Sequence, residues 1–244
     1  MPVIGILLDI EGTTTPISFV YDVLFPFARQ RIEEYAQHME DLSDLRREYE
    51  NDVRCGLNPP PWTGGHAAYL QWLMDHDRKS TALKAIQGRI WEEGYRSGEL
   101  HGEVFPDVQP ALERWHRAGV DVRIFSSGSV LAQRLLFSTT DAGDLTKFLN
   151  GYFDTTTGPK TDPGSYLTIA EAFGALPSSI TFISDVSREL DAARTAGMQT
   201  LLCVRPGNHP QPANDHTIIS DFQTVNPSLS VFSSRTPGQF SPQE

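Results

Sequence analysis

The sequence predicts an α/β fold in which a doubly wound parallel sheet carries an inserted all-helical unit. Three observations predict it. Four short apolar runs, at residues 3–8, 120–125, 180–183 and 200–204, each stop at polar or glycine residues. Segments with helical spacing lie between the later runs, and residues 19–102 hold several helical patterns but no convincing strand. Short runs rich in branched and aromatic residues read as strands buried on both faces. Strands alternating with helices need crossover connections, which cover both faces of a sheet.

The first run, Val3-Ile4-Gly5-Ile6-Leu7-Leu8, breaks at Asp9 and a Gly-Thr turn, as a buried strand does at its end. Helical spacing follows at residues 108–118, 130–137, 166–175 and 189–196, the last closed by Gly197 in the C-cap position. Within the inserted unit the helical patterns are residues 22–39, 67–74 and 82–91, divided by the loop Asn58-Pro59-Pro60-Pro61-Trp62-Thr63-Gly64-Gly65. Residues 226–244 carry Pro, Ser, Gly and Gln with little apolar periodicity and read as a loose tail. The division expected is a core of residues 1–18 and 103–225, a helical unit of residues 19–102, and the tail.

Composition narrows the function. Among 244 residues, 31 are Asp or Glu and 20 are Lys or Arg, a formal charge of −11. Nucleic-acid binding needs clustered basic residues, and here they occur only as scattered pairs such as Arg46-Arg47 and Arg78-Lys79. With 39% hydrophobic and 21% charged residues the chain has the balance of a soluble globular protein. No apolar run approaches the ~18 residues needed to cross a bilayer, and Met1-Pro2-Val3-Ile4 lacks the charged start of a signal peptide. A cytoplasmic monomer is the expectation, with Cys55 and Cys203 as reduced thiols. The seven His residues show no zinc spacing.

In open α/β sheets the ligand crevice lies at the carboxyl ends of the strands. Four polar clusters fall there: Asp9-Ile10-Glu11-Gly12-Thr13-Thr14, Ser126-Ser127-Gly128-Ser129, Lys160, and Ser184-Asp185. Each alone is an ordinary cap, turn or solvated lysine. Together they place carboxylates where mutual repulsion calls for a cation, and Mg²⁺ is the usual choice beside oxygen ligands and phosphate. Asp9 and Asp185 are the metal candidates, with Glu11 adding its side chain or its carbonyl. Ser127 or Ser126, the amides around Gly128 at a helix N-terminus, and Lys160 form a phosphate clamp.

The order Asp9-x-Glu11-Gly12-Thr13, then Ser127, Lys160 and Asp185 resembles the four motifs of the haloacid dehalogenase superfamily of phosphohydrolases. More narrowly, Leu8-Asp9-Ile10-Glu11-Gly12-Thr13-Thr14-Thr15-Pro16-Ile17, Phe125-Ser126-Ser127-Gly128-Ser129 and Val204-Arg205-Pro206-Gly207-Asn208 resemble the enolase-phosphatase family of methionine salvage, over residues 3–222. Most of the superfamily has Asp where this chain has Glu11; in the narrower family Glu is the rule. The resemblance implies a haloacid dehalogenase-like core with a helical cap, and a Mg²⁺-dependent enolisation and dephosphorylation of 2,3-diketo-5-methylthiopentyl 1-phosphate. It also implies Asp9 as nucleophile or metal ligand, Glu11 as acid and base, and Ser127 with Lys160 as phosphate holders.

Two other readings share part of the pattern. One is a phosphatase of the same superfamily acting on another small phosphate ester. The other is a phosphoacceptor module, in which the Lys follows the last acidic strand, whereas Lys160 precedes Asp185. Glu189 and Asp191 are equally compatible with a helix N-terminus and with support of the metal. Trp62, Trp72, Trp91 and Tyr95 are expected chiefly in the packing of the helical unit rather than lining a site.

Overall fold

The computed structural model describes residues 4–39, 41–78, 80–212 and 214–226. Its strands are β1 (Gly5–Leu8), β2 (Asp121–Phe125), β3 (Gly151–Phe153), β4 (Ile180–Ser184), β5 (Gln199–Cys203) and β6 (Thr217–Ile219), all parallel, in the order β3-β2-β1-β4-β5-β6. The chain builds outward from β1 to β3, then crosses to the other side of β1 for β4. That reversal is the switch point at which doubly wound sheets bind ligands. Leu8 lies opposite Ile124 of β2 and opposite Ile183 of β4. Asp9 therefore leaves the sheet level with Phe125 and Ser184, and Ser126 and Asp185 follow at once.

Around the sheet pack α5 (Val108–Arg117), α6 (Val130–Ser138), α7 (Pro163–Phe173) and α8 (Ser187–Thr195). On α5 the buried residues Val108, Ala111, Leu112 and Trp115 follow the i, i+3, i+4, i+7 stripe of a one-sided helix. They join Ile6, Leu8, Val122 and Ile124 on one face of the sheet, while Leu7, Phe125 and Phe182 meet Tyr166, Ile169 and Leu190 on the other. Helix starts follow the capping rule: Ser129 accepts from Ala132 N at 3.3 Å, and Asp162 accepts from Gly164 N at 2.9 Å ahead of Pro163.

Between β1 and α5 lie π-helical turns at Phe19–Leu24, then α1 (Phe25–Gln37), α2 (Ser43–Arg54), α3 (His66–Asp75) and α4 (Thr81–Ser97). They enclose a core of their own, with Ala28, Ile32, Tyr69, Leu70, Leu73, Ile86 and Ile90 buried. Helix α4 starts at Ser80, whose side chain accepts from Leu83 N, and stops at Gly98 in the left-handed conformation. The sequence names three helical segments here; α2 is a fourth, too polar to show an apolar period. Strands β3 and β6 are likewise additions to the four predicted. The tail from residue 227 onward lies outside the described residues. No described helix is long and apolar enough to cross a membrane.

A buried ion pair ties the ends of this architecture together. Arg205 holds both carboxylate oxygens of Asp107, at 2.6 and 3.0 Å, and donates to the Thr13 carbonyl at 3.1 Å. Its guanidinium lies over the rings of Phe105 and Phe222. Removing one partner of a buried pair leaves the other charge uncompensated, at a cost of about 3–5 kcal/mol. Arg205→Met is therefore expected to lower the unfolding free energy by about that much in urea denaturation; a change within ~0.5 kcal/mol would show that the pair is not structurally important.

Candidate active site

The loop after β1 is shaped by one carbonyl and one glycine. The amides of Thr13, Thr14 and Thr15 all point at the Ile10 carbonyl, at 3.1, 2.9 and 2.9 Å, and Gly12 N donates to Thr15 O. Gly12 has φ +70°, and a methyl group there would meet Asp185 Oδ2 at 2.4 Å. Only glycine allows both the turn and that close approach. Asn208 locks the loop from behind, donating to the Gly12 carbonyl at 2.9 Å and the Cys203 carbonyl at 3.2 Å.

This loop delivers Asp9 into a buried cluster. Lys160 Nζ stands 2.6 Å from Asp9 Oδ1 and 2.6 Å from Glu189 Oε2. Asp9 Oδ1 also accepts from Ile10 N, and Oδ2 accepts from Ser184 Oγ at 3.1 Å. Lys160 is set in place by α7: Tyr166 OH donates to its carbonyl at 2.6 Å, and the Tyr166 ring is wedged between Phe125 and Phe182. Glu189, which the sequence left undecided, is thus a direct partner of Lys160. Asp191 sits apart, exposed and bonded to Arg194 and His216.

Electrostatics in the cluster are unbalanced, with the carboxyl groups of Asp9, Glu11, Asp185 and Glu189 facing the single ammonium of Lys160. Burial, and then the charges of Asp9 and Glu189, push Asp185 up to about 8. Burial and Asp9 push Glu189 up to about 7, and the same two causes raise Glu11. Burial works against the Lys160 ammonium, but Asp9, Glu189 and Glu11 outweigh it and its pKa rises. A divalent cation is the natural relief for such an excess of buried acid. No three His, Cys, Asp or Glu side chains among the described residues close into one ligand set. The Glu11 carboxyl also accepts from Ser126 Oγ, at 3.4 Å.

The two serines divide their work. Ser126 is buried, bonded to Glu11, and accepts from Gly128 N at 3.1 Å. Ser127 is exposed at the opening of α6, beside the amides of its N-terminus. Both line a cavity of about 480 Å³ between the sheet ends and the inserted helices. Glu11, Ser126, Ser127 and Gly128 line it together with Arg29, Arg78 and Lys84 of the helical unit, and Val20, Leu24, Leu73, Met74, Trp91 and Leu136 contribute apolar walls. Of the four aromatic candidates, Trp91 and Tyr95 border this cavity, whereas Trp62 and Trp72 pack against Tyr69 within the helical unit. Cys55 is exposed and Cys203 buried, both free thiols.

Residues 5–197 match the model of the haloacid dehalogenase-like hydrolase family. A curated relative named Enolase-phosphatase E1, from Synechococcus elongatus, is 50% identical over 231 residues, covering 90% of this chain and 96% of its own. The chain belongs to the enolase-phosphatase E1 family of haloacid dehalogenase-like hydrolases. A second family member, from Pseudomonas fluorescens, is 43% identical over 91% of this chain and 96% of its own. In Ricinus communis the match, at 45% identity, covers 45% of a longer protein named as a probable bifunctional methylthioribulose-1-phosphate dehydratase/enolase-phosphatase E1. Among solved structures, the UTR4 protein of Saccharomyces cerevisiae superposes with a TM-score of 0.74 at 35% identity, covering 91% of this chain and 99% of that one. CbbY of Rhodobacter sphaeroides, at 15% identity and a TM-score of 0.59, shares the fold.

Asp185 makes the cluster's charge imbalance measurable in this enolase-phosphatase family member. Without a divalent cation its carboxyl keeps a proton in the folded state up to about pH 8, against 3.8 for the ordinary group. The folded state then binds more protons than the unfolded one, so this group's contribution to stability falls as pH rises through that window. Asp185→Asn removes the effect: in denaturation with EDTA the variant is expected to gain on the parent between about pH 5 and pH 8. Parallel stability profiles would contradict the shift.

Proposed function

We propose that this chain is a Mg²⁺-dependent enolase-phosphatase. It converts 2,3-diketo-5-methylthiopentyl 1-phosphate into the acireductone 1,2-dihydroxy-3-keto-5-methylthiopentene and phosphate, in methionine salvage. The observation that carries the reading is the lining of the cavity: Glu11 and Ser126 to Gly128 share it with cations of the helical unit and with the apolar side chains of Val20, Leu24, Leu73, Met74 and Trp91. An ester with an anionic head and a thioether tail fits such a mixed lining. The relatives' names point the same way.

Asp9 and Asp185 are the side chains to hold Mg²⁺, with the Glu11 carbonyl, to which no described residue donates, as a third oxygen. The excess of buried carboxyl groups fits such an ion. When bound, Mg²⁺ supplies positive charge that polarises a substrate carbonyl and neutralises the phosphoryl group. The protein's own residues do the rest. Ser127 and the amides around Gly128 bind phosphate oxygens at the helix N-terminus. Lys160 fixes the Asp9 carboxylate and adds positive charge beside it.

Asp9 attacks phosphorus as the ester P–O bond breaks, giving a phosphoaspartate. Glu11, whose pKa burial and Asp9 raise above the ordinary carboxylate range, gives its proton to the leaving oxygen. As a carboxylate it then takes one from the water that hydrolyses the phosphoaspartate. The helical unit, residues 19–102, acts as a cap that keeps bulk water out and reads the organic part of the substrate.

Two experiments test this reading. In a phosphate-release assay with Mg²⁺, the diketone phosphate is expected to turn over far faster than any sugar phosphate; equal rates across the panel would return the chain to a general phosphatase. Asp9→Asn keeps the shape and removes the charge, so a folded variant with phosphate release reduced by at least about 10³-fold is expected. Full activity in that folded variant would show that Asp9 is neither nucleophile nor essential ligand.

A further inference from the structure

Three cations border the cavity from the helical unit: Arg29, Arg78 and Lys84. Two are already committed, Arg29 to Asp75 at 2.6 Å and Arg78 to the buried carboxylate of Asp52 at 2.6 Å. Lys84 has no carboxylate within ion-pair distance among the described residues. Its Nζ reaches across to the sheet domain and donates to the Ser127 carbonyl at 3.2 Å. An ammonium has three donors, so two are left over beside the loop that offers Ser127 and Gly128. Asp154, which feels the Lys84 charge, is itself engaged by Val130 N and by Thr156.

The position of Lys84 follows from how α4 meets the sheet domain. It sits in the first turn of that helix, which Ser80 starts. One turn on, Gly88 faces the cap of α6: a methyl group there would sit in ordinary van der Waals contact with Ser129 Oγ, at 3.9 Å. Lys160, by contrast, does not border the cavity; it is held between Asp9 and Glu189. Among the described residues that line the cavity, Lys84 is thus the one cation without a carboxylate partner, and it comes from the helical unit.

We propose that Lys84 is a substrate ligand carried by the helical unit, donating to a phosphate oxygen of the bound ester beside Ser127 and the Gly128 amides. This rests on the enolase-phosphatase reading for the identity of the ester, but not for the presence of a phosphate. It also gives the cap a reason to close, because its own charge is satisfied by the anion it encloses.

Inorganic phosphate is the probe, titrated calorimetrically into the Mg²⁺-loaded protein and tested as a competitive inhibitor. Lys84→Met is expected to weaken phosphate binding by about tenfold to a hundredfold and to raise KM more than it lowers kcat. Lys84→Arg is expected to restore most of the affinity, and Mg²⁺ binding is expected to stay at the wild-type value in both variants. Should Lys84→Met fail to fold, Lys84→Gln keeps a donor without the charge and is expected to show the same loss. Wild-type phosphate affinity in a folded, uncharged variant overturns the proposal and leaves Lys84 as a latch on the Ser127 carbonyl. Lys84-dependent phosphate binding in a protein inactive on the diketone phosphate would overturn the enolase-phosphatase reading while keeping Lys84 as a phosphate ligand.

Discussion

The bond on which the site depends is the double ion pair of Lys160 with Asp9 and Glu189. Each contact is 2.6 Å long and the ammonium is almost wholly buried. The pair fixes where the Asp9 carboxylate points, and a divalent cation would relieve the surplus of acid around it from Glu11 and Asp185. Lys160 is itself set by Tyr166, whose ring belongs to the packed face of the sheet. The chemistry is thus fastened to the core rather than to a loose surface loop.

Around this centre the fold supplies support in layers. Arg205 and Asn208, from the segment after β5, bond to the Thr13 and Gly12 carbonyls and so hold the loop that carries Asp9 and Glu11. Asp107 anchors Arg205 and also accepts from Phe222 N at 2.7 Å, which brings the chain beyond β6 into the same network. Segments far apart in sequence therefore fix one turn. The helical unit adds the opposite wall, and its contacts at Gly88 and Lys84 fall on Ser129 and Ser127, in the loop proposed to bind phosphate.

Much of this was legible in the sequence. Apolar runs broken by Asp9, Ser126 and Asp185 predict strands whose ends meet, and the parallel register places those residues at one level. What was not legible has physical causes. Strands β3 and β6 are three residues each at the two edges of the sheet, too short for any periodic signal. Helix α2 buries only Leu45 and Asp52, so its pattern reads as polar. Glu189 and Asp191 fitted a helix start and support of a metal equally well, and only the three-dimensional approach of Lys160 separates the two. Burial separates Ser126 from Ser127, and a cavity separates Trp91 and Tyr95 from Trp62 and Trp72. Lys84 gave no sequence signal, because its meaning lies in a contact between the inserted helices and the sheet domain.

The central claim is that Asp9, Asp185 and the Glu11 carbonyl hold one divalent cation beside a phosphate seated on Ser127 and the start of α6. A crystal structure of the protein with Mg²⁺ and an unreactive phosphonate analogue of the diketone phosphate tests it most directly. The ion is expected between Asp9 and Asp185, the phosphonate oxygens on Ser127 and the Gly128 amides, and the tail against the apolar cavity walls. A phosphonate bound away from these groups, or a cation held by other residues, would contradict it.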